Sequence, residues 1–260
     1  MRAQPRSPRS RRLLFDLLCI LGQWKRAGMQ LQILADTDRS FEDNATLLGK
    51  LIRAECQRAK VLRGLAAPST FGSKDGFTPP WMLQLSEALR LIARPPAMAS
   101  TALTASDALR RTALAGTPET PGRCDALPAA FDWITDSDTR LGPVCEVVLP
   151  NGYHWIALDD LQSLRMEAPT QLQDLIWSRA QFQLRHGPEF EGYMPMRYPV
   201  RAEDRDTLLL ARETVWTNLG ETAVLGHGQK VWSTDKGDIP LLDVRHCTFH
   251  EPGSTVAPGQ

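Results

Sequence analysis

The sequence predicts an α+β fold in which a helical first half precedes a mixed α+β second half. Two observations carry this prediction. Up to about residue 115, apolar residues recur every three or four positions, which is the pattern of amphipathic helices. Beyond a turn-rich stretch at residues 116–123, apolar residues alternate or run at strand length. The composition, 42% hydrophobic and 23% charged, is that of a globular protein.

The first predicted element is a helical hairpin over residues 13–35. Leucines recur at helical spacing until Gly22 interrupts them, and Trp24, Ala27 and Leu31 restart the pattern. The spacing of the glycine, tryptophan, alanine and leucine resembles the turn and second helix of a tetratricopeptide-type repeat, in which a small alanine lets two helices approach closely. A single copy is equally consistent with an ordinary helical hairpin.

Three more helices are predicted in the first half. The longest covers about residues 41–65, with Ser40 as its N-cap and Cys56 on its apolar stripe. The next begins at a pair of prolines and covers about residues 80–93, because proline is tolerated in a first helical turn. The last covers about residues 101–115.

The second half is predicted to contain most of the strands. Residues 150–152, Pro-Asn-Gly, form a tight turn that joins two strands into a β-hairpin. Residues 159–164 are predicted as a short helix and 226–230 as a glycine-bounded turn, while 204–216 remain open between helix and strand. The predicted strands lie at residues 131–134, 144–149, 153–156, 176–184, 192–196 and 241–249.

These elements predict a domain organisation with a boundary at the turn-rich stretch. Residues 1–12 form a basic, disordered head, and residues 13–115 form a helical, tetratricopeptide-like domain. Residues 116–123 are the linker. Residues 124–251 form an α+β domain, and residues 252–260 form a disordered tail.

The charges are distributed unevenly along the chain. Residues 1–115 carry 18 Lys and Arg against 9 Asp and Glu, whereas residues 116–260 carry 12 against 21. Five of the extra positive charges lie in the head, and no nucleic-acid motif accompanies them, so a nucleic-acid partner is not expected. No apolar run approaches the roughly 18 residues of a membrane span. The five widely spaced cysteines suit a reducing compartment, so the sequence predicts a cytoplasmic protein without a membrane partner.

Acidic residues are dense around Asp136, and they raise the question of chemistry. Asp136 and Asp138, with a histidine, could serve a metal-dependent hydrolase, because hard cations need several converging oxygens. Asx-turns and an Asp138–Arg140 ion pair that fix a loop explain the same residues more simply. His246 and His250 would face one side of a strand and Cys247 the other, which is poor geometry for shared zinc.

The motifs of nucleophilic or nucleotide-dependent enzymes do not occur in this sequence. A nucleophile elbow, a phosphate-binding P-loop and a dinucleotide glycine pattern are all absent. We therefore expect neither a cofactor nor catalysis. Trp133 is expected to contribute packing, with a loss of roughly 3–5 kcal/mol on substitution by alanine if its indole is buried.

The pattern F-x-W-I-x-D-x-D-x-R-L-G-P-V at Phe131–Val144 resembles the signature of the ImpE family, also called TagJ or SciE. Further segments agree in order, at residues 14–27, 197–199, 210–216, 228–230 and 241–245. The residues that we expect to bind a partner or to hold the motif together are Trp24, Trp133, Asp136, Asp138, Arg140, Leu141, Gly142, Pro143, Arg197 and Tyr198.

The resemblance implies a non-enzymatic accessory factor of bacterial type VI secretion. Such a factor would bind the small sheath subunit TssB and the AAA+ ATPase ClpV, and would influence disassembly and recycling of the contracted sheath. A purely structural scaffold is the other interaction role that remains open. Family members usually have another helical pair before the segment at 14–27, so the apolar end of the helical array is expected to be exposed here.

Overall fold

A computed structural model of the protein describes residues 8–37, 41–72, 76–93 and 99–250, and confirms the predicted α+β class. Helices dominate the first part of the described chain, and strands dominate the second. The helices are α1 (Pro8–Ile20), α2 (Trp24–Thr37), α3 (Glu42–Leu62), α4 (Pro80–Ile92), α5 (Ala99–Ala115) and α6 (Asp206–Leu209). No helix in these residues is long and apolar enough to cross a membrane.

The strands form one large and two small sheets. They are β1 (Ser69–Thr70), β2 (Gly122–Cys124), β3 (Ile134–Asp136), β4 (Val144–Leu149), β5 (Gly152–Ala157), β6 (Leu161–Met166), β7 (Trp177–Leu184), β8 (Glu189–Pro195), β9 (Thr214–Leu219), β10 (Ala223–Gly228), β11 (Val231–Thr234), β12 (Gly237–Pro240) and β13 (His246–Phe249). The large sheet has the order β1-β5-β4-β8-β7-β6-β13-β2, and the small sheets are β10-β9 and β12-β11-β3.

The predicted helical hairpin is present as α1 and α2. Ala27 and Leu31 are buried where the two helices meet, as their spacing requires. However, Leu13 and Leu17 on the outer face of α1 are 52% and 44% exposed, and Leu21, directly after the helix, is 45% exposed. The apolar exposure expected at this end of the helical array is therefore seen.

The predicted basic head is helical in the part that the structure describes. Residues 8–12 form the first turns of α1, because Arg12 pairs with Asp16 one turn later and its guanidinium lies over the Phe41 ring. Residues 1–7 of the head and the tail predicted at 252–260 lie outside the described residues, as does the predicted N-cap Ser40.

Helix α3 follows the predicted boundaries closely, and Leu48, Leu51, Ile52 and Leu62 of its predicted apolar stripe are buried. Cys56, placed on the apolar stripe by its spacing, is exposed. Glu55 and Arg58 are buried instead. Their burial is possible because the adjoining sheet supplies charged and polar partners, which spacing within the helix alone cannot reveal.

Most predicted strands are present, and the β4–β5 hairpin pairs from Val144 opposite Ala157 to Leu149 opposite Gly152. The first predicted strand is displaced: β3 begins only at Ile134, while Phe131 forms a single bridge to Gly122.

The segment at 159–164 was predicted as a helix, and this is wrong. It contains a 3₁₀ turn at Leu158–Asp160 followed by β6. A register shift between Leu161 and Ser163 buries both Leu161 and Leu164, so a β-bulge imitates the i, i+3 spacing of a helix.

Three other segments also differ in detail from the prediction. The ambiguous segment at 204–216 resolves into the short helix α6 and the start of strand β9. The predicted strand at 241–249 begins with a 3₁₀ turn, Leu241–Asp243, before β13. The predicted turn at 226–230 begins inside strand β10.

The large sheet has an apolar core on each face. Strand β4 is buried throughout, with Val144 and Val148 facing the helices and Cys145 and Val147 facing the opposite core. The helix-side core includes side chains of α1 to α4 as well as Trp177 of β7. The stretch predicted as a linker ends in β2, whose first residue, Gly122, is already part of the sheet.

Candidate functional site

The residues of the Phe131–Val144 pattern build a closed loop at the end of β3, residues 136–143, called the signature loop below. The Asp136 carboxylate accepts a hydrogen bond from the Asp138 N–H at 2.9 Å, and the Asp138 carboxylate accepts one from the Arg140 N–H at 2.9 Å. The Gly142 carbonyl accepts from the Asp136 N–H at 2.7 Å, which closes the loop. Gly142 has a positive φ of 54°, a conformation that glycine adopts without a steric penalty.

An ion pair and close packing fix this loop. The Arg140 Nε lies 2.9 and 3.0 Å from the two Asp138 carboxylate oxygens, so the predicted Asp138–Arg140 pair is present. Leu141 is fully buried, and Pro143 is buried beside it. The Pro143 carbonyl accepts a hydrogen bond from the Leu158 N–H at 3.0 Å, which ties the end of the loop to the end of β5.

The same loop is attached to β10. The second Asp138 oxygen accepts a hydrogen bond from the Gly226 N–H at 2.8 Å. The Tyr198 ring lies directly against Gly226, where an added Cβ would overlap its ring carbons. Glycine at 226 therefore lets the tyrosine and the acidic loop occupy adjacent positions.

Beneath the loop lies a buried cluster of charges centred on Lys230. Its Nζ lies 2.5 Å from an Asp136 oxygen and 2.6 Å from a Glu146 oxygen. The other side of Glu146 receives the Arg58 guanidinium in a two-pronged contact of 2.7 and 2.9 Å. All four side chains are at most 1% exposed, so each charge is compensated by its neighbours instead of water.

Aromatic side chains complete the hydrogen bonding of this cluster. The Tyr153 hydroxyl donates to Glu146 at 2.5 Å and accepts from the Trp155 indole N–H at 2.6 Å. The Tyr198 hydroxyl donates to Asp136 at 2.8 Å. The carboxylates are thus surrounded by donors from several strands.

The two central carboxylates respond differently to burial. Burial raises the pKa of Asp136 to about 6, because Lys230 offsets only part of the desolvation and the carboxylates of Asp138 and Glu146 are close. Burial alone would also raise the pKa of Glu146, but Arg58 and Lys230 together hold that pKa well below its usual range. Glu146 contacts two cations and Asp136 contacts one, and this difference moves the pKa values of the two carboxylates in opposite directions.

Arg197, next to Tyr198 in the chain, joins the helices to this region. Its guanidinium donates to the Ile20 and Cys19 carbonyls, each at 2.7 Å, at the C-terminal end of α1. It also donates to the Leu209 carbonyl at the end of α6, at 2.5 Å. Burial lowers the pKa of Arg197 to about 10. Its charge is balanced mainly by carbonyl oxygens at the ends of two helices.

The expected site residues thus fall into one connected group and two separate positions. Asp136 through Pro143, with Arg197 and Tyr198, lie in or beside the charged cluster. Trp24 lies apart and packs against Trp177 with ring centroids 5.6 Å apart.

Trp133 does not meet the condition of burial on which its expected packing loss depends. It is 39% exposed, because it precedes β3 in an exposed bend, so the large packing loss expected for a buried indole does not apply.

Sequence reasoning missed Arg58, Lys230 and Tyr153 as members of this cluster. One signal was available: Glu146 lies in the otherwise apolar strand Val144–Leu149, and a carboxylate buried there requires a cation. The sequence does not reveal which cations those are, because Arg58 and Lys230 lie 88 and 84 residues away.

The chemistry of this cluster is that of mutual neutralisation. Lys230, Arg58 and Arg140 occupy the carboxylate oxygens of Asp136, Glu146 and Asp138. Across the described ranges, no group of three or more His, Cys, Asp or Glu is arranged to hold a metal ion. The geometry fixes the fold around the loop.

Comparisons with known proteins agree with the motifs. A model of the family described as ImpE protein matches residues 128–248. The type VI secretion system accessory component TagJ of Pseudomonas aeruginosa is 35% identical over 96% of this chain and 83% of its own length. The crystal structure of protein VPA1032 from Vibrio parahaemolyticus has the same fold, with a TM-score of 0.81 over 95% of this chain and 89% of that one, at 23% identity. The relative is 35% identical over nearly the whole length of this chain, and the signature loop lies within the residues 128–248 that the family model matches. The chain therefore belongs to the ImpE family.

Proposed function

We propose that this protein is a non-enzymatic adaptor of a bacterial type VI secretion system. In this proposal it acts in the cytoplasm, binds the small sheath subunit TssB and the ATPase ClpV, and modulates disassembly and recycling of the sheath. The observation that carries the proposal is the 35% identity to an accessory component of such a system over 96% of the chain.

The structure supports an adaptor by the way in which it uses its charged residues. Arg58 of α3 and Arg197 join the helices to the sheet through buried contacts to Glu146 and to the end of α1. Such contacts hold the two parts of the protein in a fixed arrangement, which lets surfaces on both parts meet partners in a constant geometry.

The protein also exposes apolar side chains of the kind found at protein contacts. Leu13 and Leu17 of α1 and Leu21 directly after it are exposed, and Met29 and Ile33 of α2 are 59% and 36% exposed. Exposed apolar groups at helical spacing favour binding to another protein over a role in small-molecule chemistry.

A metal-dependent hydrolase at Asp136 and Asp138 receives no comparable support. A metal ion there would have to displace Lys230 and Arg140 from the carboxylates that they contact at hydrogen-bonding distance. Removal of those contacts would leave buried cations without partners, which is energetically unfavourable.

Binding to purified partners tests the proposal. The full-length chain is immobilised and exposed separately to TssB and to ClpV from the same organism. We expect saturable binding of each, with dissociation constants of roughly 1 µM or below. Failure of both proteins to bind at tens of micromolar would contradict the adaptor.

Isolation of the assembled apparatus separates an adaptor from a scaffold. An adaptor associates transiently and leaves the apparatus on washing. A scaffold remains in fixed proportion to the sheath subunits, and that result would replace the adaptor with the structural role.

A further inference from the structure

The β9–β10 hairpin has an outer edge whose backbone groups can be assigned from its pairing. The Gln229 N–H donates to the Glu213 carbonyl at 3.0 Å, in register with the hairpin. In an antiparallel pair, inward and outward residues alternate, so odd-numbered residues of β9 direct their backbone groups toward β10. Thr214, Trp216 and Asn218 therefore direct their N–H and C=O groups away from β10.

The opposite edge of the hairpin, on β10, is covered by the signature loop. The Gly226 N–H donates to the Asp138 carboxylate at 2.8 Å, and the Val224 N–H donates to the Thr139 hydroxyl at 2.8 Å. These are the outward residues of β10, which confirms the alternation assigned to β9. The hairpin is therefore fastened to the body of the protein along one edge.

The outer edge of β9 is open in the described part of the chain. There, the outward backbone groups of Thr214, Trp216 and Asn218 make no hydrogen bond. Trp216 is 41% exposed, and Thr217 and Asn218 are exposed as well. The strand contains no charged residue and no proline, which are the common means of protecting a sheet edge from further pairing.

The tip of the hairpin is held in place. Asp107 of α5 accepts hydrogen bonds from the Glu221 and Thr222 N–H groups, each at 3.1 Å. The Trp216 ring packs edge-on against the Tyr198 ring at 5.8 Å. Because the tip of the hairpin and the middle of β9 are held in place, the open edge is already in the geometry that an added strand requires.

We propose that the outer edge of β9 is a docking site for an extended segment of a partner protein, which adds a third strand to the hairpin. This inference rests on the proposed adaptor function and names the surface that it uses. An extended segment is the matching occupant because a helix already satisfies its own backbone groups, whereas a strand presents donors and acceptors at the same alternate spacing.

The edge also defines the chemistry of the segment. Residues 214 to 218 span roughly 13 Å, so about five residues of the partner pair with them. The partner residues that face β9 carry no proline at donor positions, and an apolar side chain lies beside the exposed part of the Trp216 ring.

Substitutions at Asn218 test the inference in the full-length chain. Asn218→Pro removes an outward N–H but no hydrogen bond to β10, and Asn218→Ala retains that N–H. We expect Asn218→Pro to weaken binding of TssB or ClpV by roughly tenfold, in line with the loss of one edge hydrogen bond. Asn218→Ala is expected to bind like the wild type.

Hydrogen–deuterium exchange of the wild-type chain provides a readout that does not depend on any variant folding. The amides of Trp216 and Asn218 are expected to exchange quickly in the free protein and to be protected in the complex. Full binding by Asn218→Pro together with unprotected β9 amides would overturn the inference while leaving the adaptor intact.

Two other results also decide the matter. If neither TssB nor ClpV binds the wild-type chain, the proposed function fails and the inference fails with it. If the wild type forms a dimer that Asn218→Pro converts to a monomer, the edge is occupied by a second copy of this chain, and a partner strand is excluded.

Discussion

At the residue scale, Lys230 is shared between two carboxylates that have no access to water. It lies within 2.6 Å of both Asp136 and Glu146 and is itself 1% exposed. Those carboxylates raise the pKa of Lys230 despite a burial that alone would lower it, so the lysine remains charged in the folded protein. The central feature of the signature region is therefore a shared ion pair.

Substitution of this lysine measures how strongly the fold depends on the cluster. Lys230→Met leaves Asp136 and Glu146 buried with less compensation, so we expect the free energy of unfolding to fall by about 3–5 kcal/mol. Urea denaturation followed by tryptophan fluorescence measures the change. Lys236→Met is the matched control, since Lys236 pairs with Asp235 at the surface and its loss is expected to leave the free energy of unfolding nearly unchanged. Equal effects of the two substitutions would contradict the buried cluster.

The opposite pKa shifts of Glu146 and Asp136 predict opposite pH dependences. The pKa of Glu146 is lower in the folded than in the unfolded chain, so its ionised form stabilises the fold above its ordinary value of 4.5, and this stabilisation is lost as the pH falls. The stability difference between wild type and Glu146→Gln is therefore expected to shrink from about pH 5 to about pH 3.5.

Asp136 provides the contrasting measurement. Its pKa is raised to about 6, so the folded chain binds the proton more readily, and the wild type gains stability relative to Asp136→Asn as the pH falls from 6 toward 3.8. Urea denaturation across this pH range measures both differences. The same sign of change for both variants would show that the two carboxylates are not distinguished by their cations.

The signature loop gives a third prediction at this scale. Asp138→Ala removes the acceptor of the Arg140 and Gly226 N–H groups, so we expect a loss of roughly 2–4 kcal/mol in stability. Affinity for a partner, measured on the remaining folded protein, is expected to fall less than stability does. A variant that keeps its melting temperature and loses only binding would make the loop a contact surface.

At the element scale, the sequence predicted those structures whose signal is local. The α1–α2 hairpin was predictable because apolar spacing and Gly22 both lie within 30 residues. Strand β6 could not be predicted in this way. A bulge places Leu161 and Leu164 on one face of the strand, and their spacing in the sequence is that of a helix. In the same way, the glycines of β10 suggested a turn, whereas Gly226 is a strand residue that makes room for the Tyr198 ring, 28 positions earlier in the sequence.

In the charged cluster too, only the contacts between residues close in sequence were predictable. The Asp138–Arg140 pair could be anticipated because its members are two residues apart. The pairing of Glu146 with Arg58 could not, because the fold brings together α3 and β4 from distant parts of the chain. Long-range pairing of buried charges depends on the tertiary structure, and no periodicity in the sequence encodes it.

The connection between helices and sheet is itself testable at the element scale. Arg197→Met removes the donors to the carbonyls of Cys19, Ile20 and Leu209, and we expect a loss of about 3 kcal/mol or more in stability. Hydrogen–deuterium exchange is expected to rise at the C-terminal ends of α1 and α6 before other regions. Arg201→Met, at a half-buried arginine nearby, serves as the control, and an equal response of both variants would contradict the role of Arg197.

At the scale of the whole molecule, the helices and the large sheet share one apolar core. Phe15 of α1, Leu51 of α3 and Trp177 of β7 belong to the same buried cluster. Arg58 extends this connection by pairing with Glu146 beneath the signature loop. The division at residues 116–123 proposed from the sequence thus separates segments whose side chains pack together.

A shared core predicts that the chain unfolds as one cooperative unit. Separation of the helices from the sheet would expose the helix-side core and leave Glu146 buried without Arg58, so a state with only one part folded is expected to be sparsely populated. Far-UV circular dichroism reports mainly on the helices. Tryptophan fluorescence of a variant that keeps only Trp24 and Trp177 reports on the contact of α2 with the sheet. We expect both signals to give the same urea midpoint. Two separated midpoints would instead establish residues 116–123 as a boundary between independently folding domains, and would assign the buried charges to docking between them.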